Sequence, residues 1–357
     1  MKKMTMSKTS KQNFITYAMV IVAYVIFQTL SATGNLSSLM QGLLVPLCTY
    51  SILAVSLNLT VGVLGELSLG HAGFMCIGAF SSAFFTACMK DTITNDLLRF
   101  ILAFIVAAVC AGICGILIGI PVLRLKGDYL AIVTLAFGEI IMNIINALYV
   151  GRDENGFHFS MKDSMSLNMS DSGKIIIKGA QGITGTARQS TFTIGIILLL
   201  LTLVVVLNLM NSRSGRAIMS IRDNRIAAES IGIDITKYKI MAFAISASLA
   251  GLAGCLYAHN LSSLTALPKN FGYNMSIMIL VYVVLGGMAN MRGSIIAAVL
   301  LTMIPELLRQ IGEYRMLIYA VIMIVMMIFN WSPKVKEWRE AHSIKGAFHK
   351  KNVKEAE

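Results

Sequence analysis

Glu66, Glu139, Glu306 and His71 stand inside long apolar stretches of this chain. An ionisable side chain at membrane depth costs about 2.5–3.5 kcal/mol or more, so such residues mark either a polar pathway or a hydrogen-bonded lock between helices. Glu139 is followed by Asn143 and Asn146 at i+4 and i+7, which places the three on one face of an otherwise apolar helix. That stripe is expected to face a bundle interior or an aqueous cavity; a structural cluster tying neighbouring helices accounts for it as well. Glu306 follows Pro305 and precedes Arg309, which reads as a local pair. His71 has no second His or Cys nearby, so no metal ligand set forms around it. The six cysteines, Cys48, Cys76, Cys88, Cys110, Cys114 and Cys255, all fall in apolar segments, without a CxxC pair, and read as small buried residues.

Several chemistries are excluded. No GxxxxGK[ST] occurs, so the chain carries no P-loop for ATP. No nucleophile–base set, paired carboxylates or His/Cys cluster has usable spacing, so no catalytic residues, metal site or cofactor of its own are expected. There is no ladder of intramembrane acids and bases of the kind proton-coupled carriers use.

Two segments carry glycine at a density that weakens a helix. Leu57–Gly78 reads LNLTVGVLGELSLGHAGFMCIG, with Gly62, Gly65 and Gly70 around Asn58, Glu66, Ser68 and His71. Leu285–Ser294 reads LGGMANMRGS, with Gly286, Gly287, Asn290 and Gly293. Broken backbone at membrane depth is tolerated only where protein buries it or water lines it. A Gly-interrupted apolar segment in each half of a chain is the sequence pointer to a transport path; two tight interfacial turns are the competing reading. The candidate path residues are Gly62, Gly65, Glu66, His71, Glu139, Asn143, Gly286 and Gly287.

The polar loop 211–239 reads NSRSGRAIMSIRDNRIAAESIGIDITKYK. Ile218, Ile221, Ala228 and Ile231 fall at helical spacings, and Arg222, Arg225 and Glu229, at i, i+3 and i+7, form a charged face. Gly232 ends the pattern as a C-cap would. One amphipathic helix is therefore expected between Gly215 and Gly232. It either rests on lipid head groups or is a lever seated in a groove of a partner.

What positions these residues is an apolar scaffold. Hydrophobic residues make up 56% and charged residues 13% of the 357 residues, the balance of an integral membrane protein. The spacing predicts an all-α, polytopic bundle of ten spans, about 13–33, 39–60, 66–88, 99–120, 130–150, 192–210, 240–258, 276–290, 294–311 and 316–331. Segments 1–12, 121–129, 211–239, Arg292 and 332–357 hold twenty of the thirty Lys and Arg, which places both termini in the cytoplasm. Domains on this reading are a 1–12 tail, a 13–331 membrane domain and a basic 332–357 tail. The net charge of +12 sits at membrane edges, so the expected partner is anionic lipid and not nucleic acid. Ala111, Gly115 and Gly119, with Ala247-x3-Gly251 and Ala250-x3-Gly254, mark close-packing helix faces. Segment 151–191 is a polar outer loop with a β-prone run at Ile175–Ile177, suited to docking or gating.

Taken together, Leu57–Gly78, RLKGDYLAIVTLAFGEI (Arg124–Ile140), GRAIMSIRDNRIAAESIGI (Gly215–Ile233), FAISASLAGLAG (Phe243–Gly254), VLGGMANMRGSIIAA (Val284–Ala298) and PELLR (Pro305–Arg309) resemble the LivM-type permease subunit of branched-chain amino acid ABC importers. The likeness runs in order over about 45–333. It implies a multi-pass subunit of a bacterial plasma membrane, paired with a LivH-type sister permease. Two ATP-binding subunits would drive it, and an extracytoplasmic binding protein would deliver an apolar amino acid. The resemblance also implies that the 215–232 helix is the one that meets an ATPase, with Gly215, Arg216, Arg222, Arg225, Glu229 and Gly232 as coupling residues. Ile226-Ala-Ala-x3-Gly232 is similar to the EAA-x3-G signature of importer permeases, with Ile where that signature has Glu. Lys178-Gly-Ala-Gln-Gly-Ile183 looks like the family's TGG-x-x-GI with its first part altered, and Asn330-Trp-Ser-Pro333 departs from the usual RP-x-G ending. Relatives of this subunit also serve urea and short amides. An ATP-independent channel built on the same broken helices is the alternative from another class; a membrane-embedded enzyme is the other.

Overall fold

The computed structural model describes residues 8–308 and 314–331, apart from 35, 91, 126, 154–155, 168 and 170–172. The basic tail 332–357, Arg309 and most of the 1–12 tail therefore lie outside the described residues. In chain order the helices are α1 (Lys8–Ala32), α2 (Ser38–Asn58), α3 (His71–Cys88), α4 (Asp96–Val122), α5 (Asp128–Ala147), α6 (Phe192–Asn211), α7 (Arg213–Asp223), α8 (Arg225–Ser230), α9 (Ile235–Ala258), α10 (Pro268–Phe271), α11 (Tyr273–Gly286), α12 (Met291–Leu307) and α13 (Arg315–Trp331). A π-helical turn, Leu59–Leu64, continues α2.

Among the described residues seven helices are long and apolar enough to cross a membrane: α1, α2 with its π-turn, α3, α4, α5, α6 and α9. The remaining three of the ten expected spans correspond to α11, α12 and α13, which are apolar but only 14, 17 and 17 residues long. Six helix starts are set by local sequence. Ser37, Asn95, Thr191, Ser212, Asn224 and Asp234 each accept an N–H of the following turn through their side-chain oxygens, satisfying donors that a helix start leaves free.

The expectation of an all-α chain fails in the 151–191 segment. Strands β1 (Tyr149–Asp153), β2 (Gly156–Ser160) and β3 (Lys174–Lys178) form an antiparallel sheet in the order β2-β1-β3. A register shift sits between Val150 and Gly151. A second pair, β4 (Ile183–Thr184) with β5 (Ser263–Leu264), ties the segment to the turn after α9. The apolar Ile175–Ile177 run forms the middle of β3, with Ile176 and Ile177 buried. Arg152 fastens this sheet to the bundle by donating to the Cys88 carbonyl at 2.8 Å.

Residues up to Val299 form one compact unit; the second, from Leu300, holds the end of α12 and all of α13. In the first unit α2 is the buried centre, whereas α1 is peripheral. Around that centre α3, α4 and α9 approach through small residues. A Cβ on Gly78 would lie 2.4 Å from the Gly251 Cα, one on Gly254 would lie 2.1 Å from the Met75 carbonyl oxygen, and one on Gly115 would lie 2.6 Å from the Ala247 Cβ. Apolar helices gain nothing by leaving lipid for one another, so close backbone contact is what holds them. Gly254→Val should therefore destabilise the protein by at least the ~1–3 kcal/mol of core overpacking. Gly42→Ala, in open space on α2, should leave the melting temperature in detergent unchanged or raised. Equal melting of both variants would refute the packing account.

Candidate functional site: two broken segments and the loop that touches them

The first break begins directly after Asn58. The chain passes through the π-turn LTVGVL to Gly65, which closes it in the left-handed region at φ +81°, a conformation glycine reaches without steric cost. Residues 65–70 are not helical, and α3 restarts at His71. The freed backbone groups find partners. Thr60 O accepts the Glu66 N–H at 3.1 Å, Thr134 Oγ1 accepts the Leu69 N–H at 3.0 Å, and Ser276 Oγ accepts the Ala72 N–H at 3.1 Å.

The second break lies between α11 and α12, with Gly287 at φ +94° and Ala289 at φ +62°. Gly286 and Gly293 face each other so closely that a Cβ on Gly293 would lie 1.7 Å from the Gly286 oxygen. Asn58 joins the two breaks. Its side chain is fully buried; Oδ1 accepts the Ala289 N–H at 2.8 Å and Nδ2 donates to Ser294 Oγ at 2.8 Å. Gly62 leaves room for this contact, since a Cβ there would lie 1.8 Å from Asn58 Oδ1. Glycine is thus required at 62 by space and at 65 by backbone angle.

The 211–239 loop reaches the same place. Gly215, buried in the turn from α6 into α7, allows a reversal in which a Cβ would lie 2.0 Å from the Leu209 oxygen. Arg216 Nη1 caps the end of α6 at the Asn211 carbonyl, 3.0 Å away. Arg222, at the end of α7, donates from Nη1 to the Gly62 carbonyl at 2.9 Å and is held by Asp223 Oδ1 at 2.9 Å from Nη2. Its stem crosses Gly65, where a Cβ would lie 2.6 Å from Arg222 Cγ. Beside it, Glu66 forms an ion pair with Lys239 of α9, whose side chain is only 4% exposed.

Three expectations change here. The single 215–232 helix is two, α7 and α8, separated at Asn224, whose backbone is extended and whose side chain caps α8. Ile218, Ile221 and Ala228 are buried, but Ile231 is 75% exposed, because α8 has already ended at Ser230 and helical spacing no longer places it. The charged face divides as well: Arg222, though exposed on α7, reaches the Gly62 carbonyl of the bundle, while Arg225 and Glu229 are exposed on α8. Gly232 does follow α8 with φ +84°.

The other candidates separate from this cluster. His71 is buried, with Nε2 2.7 Å from Ser56 Oγ, and sits in the core between α2 and α3. Glu139 is half-buried, and its Oε1 accepts the Tyr273 N–H that opens α11, at 2.6 Å, a carboxylate at the positive end of a helix. Asn146 ties α5 to the Ala266 carbonyl at 2.9 Å. Asn143 does not face the interior of this bundle; it lies on the exposed face of α5 and donates to the Glu139 carbonyl at 2.8 Å. Glu306 is half-buried on α12. Among the described residues no three His, Cys, Asp or Glu side chains cluster as metal ligands. Sequence reasoning missed Lys239, read only as a topology charge, because its partner is 173 residues away. Asn58 was visible as a polar residue in the first break, but nothing in its neighbourhood pointed to Ala289 or Ser294.

A family model described as the permease component of the branched-chain amino acid transport system matches residues 39–329, and the chain belongs to that family. Two curated relatives are each named high-affinity branched-chain amino acid transport system permease protein LivM. The one from Salmonella typhimurium is 34% identical over 294 residues, and the one from Escherichia coli is 33% identical over 294 residues. In both cases the match covers 80% of this chain and 67% of the relative. A shorter similarity, 29% over 101 residues and 28% of this chain, is to an Enterobacter protein named autoinducer 2 import system permease protein LsrC. No solved structure matches. The chain is a LivM-type permease, a multi-pass protein of a bacterial membrane.

The buried ion pair generates a direct test. Lys239→Met leaves the Glu66 carboxylate without its partner and should cost about 3–5 kcal/mol, read as a fall in melting temperature. The swap of Glu66→Lys with Lys239→Glu should recover more than half of it. A swap that melts no higher than the single variant would show that the pair does not hold the segment.

Proposed function

We propose that this chain is one of two permease subunits of an ABC importer for branched-chain or related apolar amino acids. A LivH-type sister permease completes the path, two cytoplasmic ATP-binding subunits work it, and an extracytoplasmic binding protein delivers the substrate. The observation that carries this reading is the Arg222 contact: α7, in the polar loop between α6 and α9, reaches the bundle and holds the carbonyl of Gly62 in the first break. A loop that merely rested on head groups would have no need of it.

In this mechanism α8, with Arg225, Glu229 and the 81%-exposed Ile226, meets an ATP-binding subunit. ATP bound by the partners supplies the free energy. When the partners move, α7 moves with α8, and Arg222 draws Gly62 and Gly65 with it. Asn58 couples that displacement to the Gly286–Asn290 turn, and Lys239 guides Glu66. The polar Asn143 on the outward face of α5 supports a sister permease or water path there, because a carboxamide at membrane depth is costly against lipid. Ten crossings with both termini inside, α11–α13 completing the seven long spans, agree with the basic cytoplasmic segments. Few fixed charges along such a path suit an apolar amino acid; a urea or amide substrate would use the same machine.

Arg222→Ala should lower ATP-driven uptake of leucine into proteoliposomes by at least tenfold. ATP hydrolysis should continue, since the loss of a charged hydrogen bond is worth about 1.5–3 kcal/mol. Uptake at the wild-type rate would sink the coupling role. Leucine flux through this chain alone, without ATPases, would instead establish the channel reading.

A further inference from the structure

The connection from α9 into α11 runs along α5 at membrane depth. Asn146, next to last in α5, donates to the Ala266 carbonyl at 2.9 Å, and Glu139, seven residues earlier, accepts the Tyr273 N–H at 2.6 Å. Residues 266–273 therefore follow α5 for about 10 Å, and Glu139 lies just past the middle of that 20-residue helix. The 14 residues of α11 make about 21 Å, short of the ~30 Å of hydrocarbon. On the proposed orientation, this connection enters from the outer side and α11 begins inside the membrane.

The side of the connection away from the core is polar and charged. Phe271 is fully buried, whereas Lys269, Tyr273 and Asn274 are exposed, as is Asn143 on the neighbouring α5. An ammonium and two carboxamides at such depth are costly against lipid, so this side faces water or protein. Glu139 is within reach of the same connection: a Cβ on Gly272 would lie 3.1 Å from its Oε1, and Lys269 stands one helical turn before that glycine. Among the described residues neither Lys269 nor Glu139 enters an ion pair, with each other or with any third residue. The Glu139 carboxylate uses Oε1 for the Tyr273 N–H, and Oε2 has no hydrogen-bond partner among them. One cation and one anion, close along a single connection and not neutralising each other, are the complement of a zwitterion. Ile140 and Ile277 are exposed beside them and offer an apolar wall.

We propose that Lys269 and Glu139 bind the charged end of an amino acid on the outer half of the path. Lys269 Nζ donates to the α-carboxylate, Glu139 Oε2 accepts from the α-ammonium, and the wall at Ile140 and Ile277 takes an apolar side chain. This rests on the importer reading and narrows it: the site selects a zwitterion over urea or a short amide, which carry neither charge.

The assembled importer in proteoliposomes, with saturating binding protein and ATP, should take up leucine. Lys269→Gln and Glu139→Gln should each lower the maximal rate by about tenfold, the worth of one charged hydrogen bond, while Lys269→Arg stays within about twofold of wild type. Glutamine at 139 keeps an oxygen for the Tyr273 N–H, so its melting temperature should match wild type. Binding to the purified complex without the binding protein reads the two charges separately. Wild type should prefer leucine by about tenfold over leucinamide, which lacks the carboxylate, and over 4-methylpentanoate, which lacks the ammonium. Lys269→Gln should lose only the first preference and Glu139→Gln only the second. Undiminished uptake in either glutamine variant, or equal wild-type binding of leucine and its analogues, would overturn the site and leave ATP-driven leucine uptake, and so the importer reading, standing. Wild-type uptake of urea or an amide and of no amino acid would overturn both. Should Glu139→Gln fail to fold, Lys269→Gln and the analogue comparison decide it.

Discussion

A peptide group in hydrocarbon has no water to bond, so every N–H and C=O in a span must find a partner within the protein. The organisation around Asn58 is a consequence of that constraint. Two spans give up helical geometry, at Leu59–Gly70 and at Gly286–Asn290, and each releases backbone groups that would be intolerable against lipid. They are placed against one another in the core of the first compact unit, and one buried carboxamide, two serine hydroxyls, a threonine and an arginine satisfy them. The Glu66–Lys239 pair obeys the same rule for charge: a buried ammonium is admissible only with its carboxylate.

This arrangement explains why the break is where α7 docks. A regular helix offers no spare carbonyl at its middle, whereas a π-turn ending in a left-handed glycine does. Gly62 exposes its oxygen to Arg222, and Gly65 clears the path for the arginine stem. A guanidinium is suited to the task because its planar fork bonds Asp223 and the Gly62 carbonyl at once. The same glycines ease departure from helical geometry, so the site proposed to receive motion is also one that can yield.

Much of this was legible in the residues. Apolar run lengths gave the long spans, small-residue spacing gave the α4–α9 face, and glycine density marked both breaks. The 211–239 segment read as amphipathic and ended at Gly232. What could not be read is long-range. Lys239 is one basic residue among many until Glu66 lies beside it, and Asn58 is one polar residue in a glycine-rich run until Ala289 arrives. The β-sheet was only hinted at by Ile175–Ile177, because its other strands alternate weakly around Gly151 and Gly156. Helical periodicity carried the 215–232 segment straight through Asn224, whose capping role appears only once the backbone extends there. The stripe rule placed Asn143 with Glu139, yet α5 leaves it on an outward face that this chain alone does not cover.

The central claim is that movement of the α7–α8 segment reaches the broken span through Arg222. Hydrogen exchange of the assembled importer, with and without a non-hydrolysable nucleotide, measures it directly. The account predicts that nucleotide alters exchange in 213–230 and in 59–70 together, and that in Arg222→Ala only the first segment responds. An unchanged 59–70 segment in the wild type, or the same paired response in the variant, would contradict it.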